Sequence, residues 1–328
     1  MTADLRRVTV TSHVDPGDGR RALRADVSAG LAERPRRLPP KWFYDEIGSE
    51  LFDQITRVSE YYPTEAERAA LAAAAADLVV LSGADTVVEL GSGSSDKTTT
   101  VLDAFAAAGR LQRYVPFDVS ESALRAAADV LAQRYPEVQV DGVVGDFDHD
   151  LGAIPDGGSR LLLFLGGTVG NYPPAPRRVL LDSIAATLDP GDHLVLGTDL
   201  VKDPARLVAA YDDAQGVTAA FNRNVLHVIN RELDADFDVD AFEHVARWNP
   251  QAEWIEMWLR STVAQRVTIR DLGEVHDFAA GDEILTEVSA KFRPAGIAAE
   301  LAASGFALVS TWTDPAGDFA ITLSRRTS

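Results

Sequence analysis

The sequence predicts a doubly wound α/β domain interrupted by a second, α+β domain, and three observations carry that prediction. Between about residues 66 and 200, short and continuously apolar stretches alternate with Ala- and Leu-rich stretches of helical spacing. Apolar strands set between helices imply a parallel sheet covered on both faces. At the end of the chain, "GFALVSTWTD" (305–314) and "DFAITLSRR" (318–326) are joined only by the turn "PAG", which predicts an antiparallel hairpin. Residues from about 202 to 290 carry a different pattern and read as an insertion ahead of that hairpin.

The elements follow in order. In "KWFYDEIGSELFDQITRVSEYYPTEAE" (41–67), Phe43, Ile47, Leu51 and Ile55 recur every four residues and predict one apolar helical stripe. Pro63 breaks that pattern, and Thr64 with Glu67 predicts a capping box for the next, Ala-rich helix. Tyr61 and Tyr62 fall in the connecting stretch, where aromatic hydroxyls can face a cleft. "DTVVEL" (85–90) reads as a strand entering a glycine loop, and 97–109 as a helix closed by Gly109. Strands are then expected at 113–120, 138–147, 160–171 and 192–200, with helices over 121–135 and about 176–188. The insertion should hold a helix near 204–221 and strand-like "FEHVARWN" and "AEWIEMWLRSTVAQRVTI". Its last segment, "GDEILTEVSAKF", fits two patterns. As a strand it puts Glu287 and Ser289 on one face; as a helix it aligns Ile284, Val288 and Phe292 and the two polar side chains diverge. Five parallel strands plus the hairpin give a seven-stranded sheet. The expected division is 65–201 with 291–328 as one domain, and 1–64 with 202–290 as a discontinuous second one.

At 328 residues the chain can bury two ordinary cores. Its 31 Lys and Arg against 50 Asp and Glu leave a net charge of −19, which repels phosphate backbones, so no nucleic-acid partner is expected. The absence of cysteine removes disulfides, thiolate metal sites and a cysteine nucleophile. His13, His149, His193, His227, His244 and His276 show no metal-ligand spacing and read as structural, so no metal is expected. No apolar run approaches about 18 residues and the start is polar and Arg-rich, so a cytoplasmic protein without a membrane partner is expected. It is expected to act on a small molecule as a monomer.

The loop "GSGSSDKT" (91–98) resembles a phosphate trap, but Asp96 stands where that trap has its second glycine. Gly91 and Gly93 lie where the first strand must turn into a helix, with room for a ligand against the backbone. Asp118, 27 residues beyond Gly91 at the end of the second strand, can accept hydrogen bonds from both hydroxyls of a ribose. Asp146 and Phe147, ending the third strand, offer a polar contact and an aromatic edge to an adenine; otherwise Asp118 and Asp146 are turn-forming caps. A pyrophosphate would meet like charge at Asp96, whereas S-adenosylmethionine carries a sulfonium cation and no phosphate. The loop therefore points to S-adenosylmethionine as cofactor. Lys97 either pairs with the methionine carboxylate of that cofactor or is a first-turn surface lysine.

A seven-stranded sheet ending in a hairpin resembles the Rossmann-like class I methyltransferases rather than the dinucleotide dehydrogenases. "YYPTEAE", "ELGSGSSDKT", "FDVSES", "FLGGTVGNYPP" and "EILTEVSAKF", in this order, are similar to the histidine N-alpha-methyltransferases of ergothioneine biosynthesis, from about residue 40 to the end. The tyrosine, "GGTVGN" and "LTEVSAKF" blocks are the selective ones. That resemblance implies three methylations of the α-amine of L-histidine, giving hercynine. It implies that Asn171 and Tyr211 hold the substrate carboxylate, that Tyr61, Glu287 and Ser289 recognise the imidazole, and that Tyr44 lies near the amine as the catalytic tyrosine. It further implies that Gly91, Lys97, Asp118, Asp146, Phe147 and Gly166 bind the cofactor, with Met257 a wall of the substrate site. Read without the resemblance, Asn171 is also a plausible turn residue, Glu287 a surface charge, and Tyr44 and Tyr211 half-buried aromatics. Two other functions fit much of the pattern: N-methylation of another amino acid or a tryptophan-derived amine, and a catalytically silent protein that binds an adenosine ligand. An indole wants an apolar wall with one acceptor, whereas an imidazole wants two polar partners, which Glu287 and Ser289 can be.

Overall fold

The computed structural model describes residues 8–13, 17–93, 95 and 97–327. Asp96, on which the reasoning against a phosphate leans, lies outside the described residues. The chain divides into two compact units: Met1–Asp15, Glu65–Leu200 and Phe292–Ser328 form the first, Pro16–Thr64 and Val201–Lys291 the second.

The first unit is built on an eight-stranded sheet. Its order is Val8–Ser12, Gln139–Val144, Arg113–Asp118, Thr86–Leu90, Arg160–Phe164, His193–Asp199, Phe319–Arg326 and Phe306–Thr313. The first six run parallel, Phe319–Arg326 runs antiparallel to them, and Phe306–Thr313 reverses again beside it. The central strands are apolar throughout, with Val87, Val88, Leu161, Leu162, Leu163, Leu194, Val195 and Leu196 all buried, because helices cover both faces. The doubly wound sheet and the terminal hairpin expected from the sequence are therefore present.

One strand differs from the sequence reading. Val8–Ser12 adds an eighth strand at the sheet edge, and with it residues 8–13 join this unit instead of the second one assigned to 1–64. It pairs in register with Val140–Val144, and the Thr9 hydroxyl donates to Asp141 Oδ1 at 2.6 Å, which fixes a short polar strand that has no apolar run of its own.

The second unit holds a four-stranded sheet in the order Arg36–Arg37, Glu283–Ala290, Trp254–Ser261 and Phe242–Asn249. A hairpin of Gln265–Ile269 with Glu274–Phe278 and the helices Asp18–Ala32, Glu46–Ile55, Pro204–Tyr211 and Val217–Leu233 complete it. Leu23, Val27, Phe43, Phe221, Val225, Ile229, Ile255, Leu259 and Ile284 are among the residues of its core.

Three local expectations change here. The single helix near 204–221 is two, broken after Tyr211, because Asp213 turns its carboxylate to the backbone N–H groups of Val217 and Thr218 (3.0 and 2.7 Å) and starts a new helix. The stripe Phe43, Ile47, Leu51, Ile55 is interrupted: Asp45 caps a helix that begins at Glu46, Phe43 is buried in a preceding 3₁₀ turn, and Ile47 is 54% exposed. The undecided segment near 283–292 is a strand over Glu283–Ala290, with a bulge between Leu285 and Glu287 that leaves Thr286 as the extra residue.

Candidate functional site

In the first unit the loops that carry the expected cofactor residues follow neighbouring parallel strands, at the carboxyl edge where open α/β sheets bind ligands. After Leu90 the chain turns through Gly91 at φ +67° and Gly93 at φ +48°, a left-handed backbone that glycine adopts without strain. Gly91 donates its N–H to Phe117 O at 2.8 Å, and a Cβ added there would come within 3.9 Å of the Phe147 ring. The glycine loop and Phe147 thus face each other. Phe147 is held edge-on to Phe164, with ring centroids 5.6 Å apart.

Asp118 ends its strand beside the glycine loop. Its carboxylate accepts from Gly93 N at 2.8 Å and from Ser120 N at 2.9 Å. Burial raises its pKa against the pull of those backbone N–H groups. Each carboxylate oxygen has a further lone pair, so a turn-holding role and ribose binding are compatible. Asp146 is likewise a turn residue: its Oδ1 accepts from Asp148 N at 2.9 Å, and its own N–H donates to Asp150 Oδ2 at 2.8 Å.

Lys97 pairs with Glu67, so its ammonium is neither a surface charge nor committed only to a ligand. Glu67, expected as a capping partner of Thr64, is 1% exposed and plays another part. One of its oxygens takes Lys97 Nζ while the other accepts from Gly166 N at 2.6 Å. A Cβ on Gly166, at φ +77°, would lie 3.8 Å from Lys97 Nζ. Glu67 therefore ties the loop after the first parallel strand of the α/β region to the loop after Arg160–Phe164.

Beneath the glycine loop, Glu89 accepts from the hydroxyls of Thr98 and Tyr114, and Tyr114 also meets Ser95 Oγ at 2.9 Å. Burial raises the Glu89 carboxyl to about 7, with those hydrogen bonds and Lys97 acting against it. Asn171 sits at the end of a 3₁₀ turn, Thr168–Asn171. The next residue, Tyr172, donates its hydroxyl to Asp148 Oδ1 at 2.8 Å and its carbonyl accepts from Arg177 Nη1 at 2.8 Å, which clips this loop to the one carrying Asp146 and Phe147.

The second unit gathers Tyr44, Tyr61, Tyr211, Met257, Glu287 and Ser289. Tyr44 packs edge-on to Phe52 and Phe221, with centroids at 5.5 and 5.3 Å; Tyr61 meets Phe52 at 6.4 Å and Tyr211 at 6.1 Å. Met257 stands opposite Glu287 in the strand register, and its carbonyl accepts from Thr286 Oγ1 at 2.9 Å. Tyr211 Oη and Ser289 Oγ share a hydrogen bond of 2.7 Å. Asn171, the remaining expected substrate contact, belongs to the first unit.

The electrostatics of this cluster are those of a desolvated site. Burial raises the Glu287 carboxyl to about 7, with the Lys291 charge acting in the opposite direction. Tyr44 keeps 40% of its surface exposed, yet the protein packed around its hydroxyl pushes the phenol well above its ordinary value, and Glu287, Tyr61 and Tyr211 add to that. The phenol stays protonated, so Tyr44 can donate or accept a hydrogen bond but is no anionic base. His244 is satisfied as a structural residue: Nε2 meets Tyr211 O and Nδ1 meets Asn222 Nδ2, both at 2.8 Å. Since a carbonyl only accepts and an amide NH₂ only donates, the imidazole is neutral with its hydrogen on Nε2. Burial lowers its pKa, in keeping with that state.

The sequence reading did not include Lys291. It is 3% exposed, and Nζ donates to Tyr211 Oη at 2.9 Å and Ser289 Oγ at 2.8 Å. The two-residue period that groups Glu287 with Ser289 also reaches Lys291, so the signal was present. Glu67, Glu89 and Tyr114 carried none beyond burial-prone positions. Among the described residues no group of three or more His, Cys, Asp or Glu side chains is placed to hold a metal ion, and no helix is long and apolar enough to cross a membrane.

Residues 23–326 match the family model for histidine-specific, SAM-dependent methyltransferases, SAM being S-adenosylmethionine. A histidine N-alpha-methyltransferase of Mycolicibacterium smegmatis is 58% identical over 305 residues, which cover 93% of this chain and 95% of that protein. A histidine N-alpha-methyltransferase of Mycobacterium tuberculosis is 57% identical over 320 residues, 98% of this chain and 100% of that one. The ergothioneine biosynthesis protein 1 of Neurospora crassa is 33% identical over 242 residues, 69% of this chain but 26% of the fungal protein.

Proposed function

Because the chain belongs to the family of histidine-specific, SAM-dependent methyltransferases, we propose that it methylates the α-amine of L-histidine three times, giving hercynine, the first step of ergothioneine biosynthesis. The observation that carries the reading is the desolvated cluster of the second unit, in which Glu287 and the Tyr211–Ser289 pair offer polar partners among the rings of Tyr44 and Tyr61. An indole has one N–H and no second polar nitrogen, so it would engage one of these groups where an imidazole engages two.

In this reading Gly91, Asp118, Asp146, Phe147 and Gly166 bind the methyl donor: Asp118 takes the ribose hydroxyls, Phe147 an edge of the adenine, and Lys97, steadied by Glu67, the methionine carboxylate. Asn171 and Tyr211 take the carboxylate of histidine, Tyr61, Glu287 and Ser289 its ring, with Met257 as a wall. Methyl transfer from a sulfonium is an in-line displacement: the nitrogen lone pair forms the new C–N bond as the C–S bond breaks, and the neutral thioether that leaves needs no proton. Holding the two reactants in line supplies roughly 7–11 kcal/mol. An α-amine ordinarily titrates at about 7.7–8.0, and the carboxylate of a free amino acid raises that, so deprotonation costs on the order of 1–3 kcal/mol near neutrality. Water held by the neutral Tyr44 phenol is sufficient to receive that proton.

The enzyme is read as a cytoplasmic monomer whose partners are its small substrates; its charge of −19 disfavours nucleic acid. Incubation with S-adenosylmethionine and each of the twenty amino acids in turn tests the activity by mass spectrometry. L-Histidine should gain up to three methyl steps. Methylation of tryptophan in preference to histidine, or of neither, would overturn the reading.

A further inference from the structure

Lys291, a buried cation of the second unit, has no role in the chemistry derived so far. Lys291 lies in an environment where an ammonium is costly to desolvate. Its side chain ends on the hydroxyls of Tyr211 and Ser289, at 2.9 and 2.8 Å, and those hydroxyls are themselves 2.7 Å apart. An ammonium only donates, so both oxygens must accept from it. One hydroxyl hydrogen is spent in the Tyr211–Ser289 contact. The pair therefore has at most one hydrogen to give a ligand, and the charge behind it makes that hydrogen a stronger donor.

An anion is what such a polarised hydroxyl prefers to meet. We propose that Lys291 is a specificity-determining residue that acts through Tyr211: its ammonium selects substrates with an α-carboxylate over those in which that group is uncharged. This inference rests on the reading that Tyr211 holds the substrate carboxylate. With the hydrogen directed from Tyr211 to the carboxylate, Ser289 gives its own hydrogen to Tyr211 and presents an acceptor. Ser289 then takes an N–H from the ring of the substrate. Glu287 is buried in the same cluster, where burial raises its pKa and the Lys291 charge acts against that rise.

The test compares kcat/KM for L-histidine and L-histidinamide, which differ at the carboxylate alone, in the wild type, Lys291→Met and Tyr211→Phe, with calorimetric binding of S-adenosylmethionine as the check on folding. The wild type should prefer histidine. In Lys291→Met that preference should fall by about tenfold or more, the factor expected when a charge-assisted hydrogen bond is lost, through a loss on histidine and little change on the amide. Tyr211→Phe keeps the lysine but cuts its path to the ligand, and should lower the ratio likewise. Equal losses on both substrates in a Lys291→Met protein that still binds the donor would make the lysine merely structural and overturn the inference. Should Lys291→Met fail to fold, an unchanged ratio in Tyr211→Phe overturns it as well. A wild type inactive on both amines would sink the substrate reading itself, and is told apart from these outcomes by that inactivity.

Discussion

Replacing Glu287 by glutamine should stabilise the protein and damage the enzyme. Burial raises this carboxyl from 4.5 to about 7, a change worth on the order of 3 kcal/mol. Between those two values the folded protein holds more protons at Glu287 than the unfolded chain does. The contribution of Glu287 therefore makes stability fall as pH rises through that window, and level off above it. Glutamine keeps the shape and does not titrate. Measured by urea unfolding across about pH 4.5 to 8, the stability of Glu287→Gln relative to wild type should rise by up to about 3 kcal/mol. Glu89, also raised to about 7 by burial, is present in both proteins and cancels in the difference. The same substitution should lower kcat/KM for L-histidine roughly 10- to 100-fold, because a charged partner of the ring is lost. A stability difference that stays flat over this range would refute the reasoning, since a desolvated carboxylate must register its charge.

Asp118→Ala should weaken S-adenosylmethionine binding by roughly 10- to 100-fold in calorimetry, as two hydrogen bonds to a carboxylate are removed; undiminished affinity would contradict the ribose role. Glu67→Gln should raise KM for the methyl donor about tenfold, through loss of the ion pair that holds Lys97, and an effect confined to the KM of the amino acid would count against it. Tyr44→Phe should slow turnover without abolishing it, because the phenol stays protonated and water takes the proton of the amine. A complete loss of turnover with normal substrate binding would show that Tyr44 is an obligatory base.

Much of the first unit was legible because its strands are continuously apolar and its loops carry glycines, a pattern that requires only local rules. The hairpin at "PAG" and the five strands between Thr86 and Asp199 follow from it directly. The Val8–Ser12 strand was not, since its alternation of valine with threonine and serine acquires meaning only beside Gln139–Val144. Glu67 misled for a related reason: three residues from Thr64 it satisfies the spacing of a capping box, yet the distant Lys97 and Gly166 outbid a local partner. In the second unit, "DDAQG" (212–216) contained the signal for two helices, with Asp213 as cap and Gly216 at φ +74°. The aromatic cluster and the Glu287–Ser289 pair came from the resemblance together with strand periodicity. Lys291 continues the alternation of Glu287 and Ser289, but a lysine at the end of a strand reads as a surface charge, and only its burial against Tyr211 and Ser289 shows otherwise.

The most direct measurement uses S-adenosylmethionine labelled with ¹³C in its methyl group and follows the product of L-histidine by NMR. A single N-trimethyl signal correlated with the α-carbon is expected at completion, with the ring nitrogens unlabelled. Label on an imidazole nitrogen, or no transfer to histidine under conditions where another amine is methylated, would contradict a site that grips the ring and leaves the α-amine to the donor.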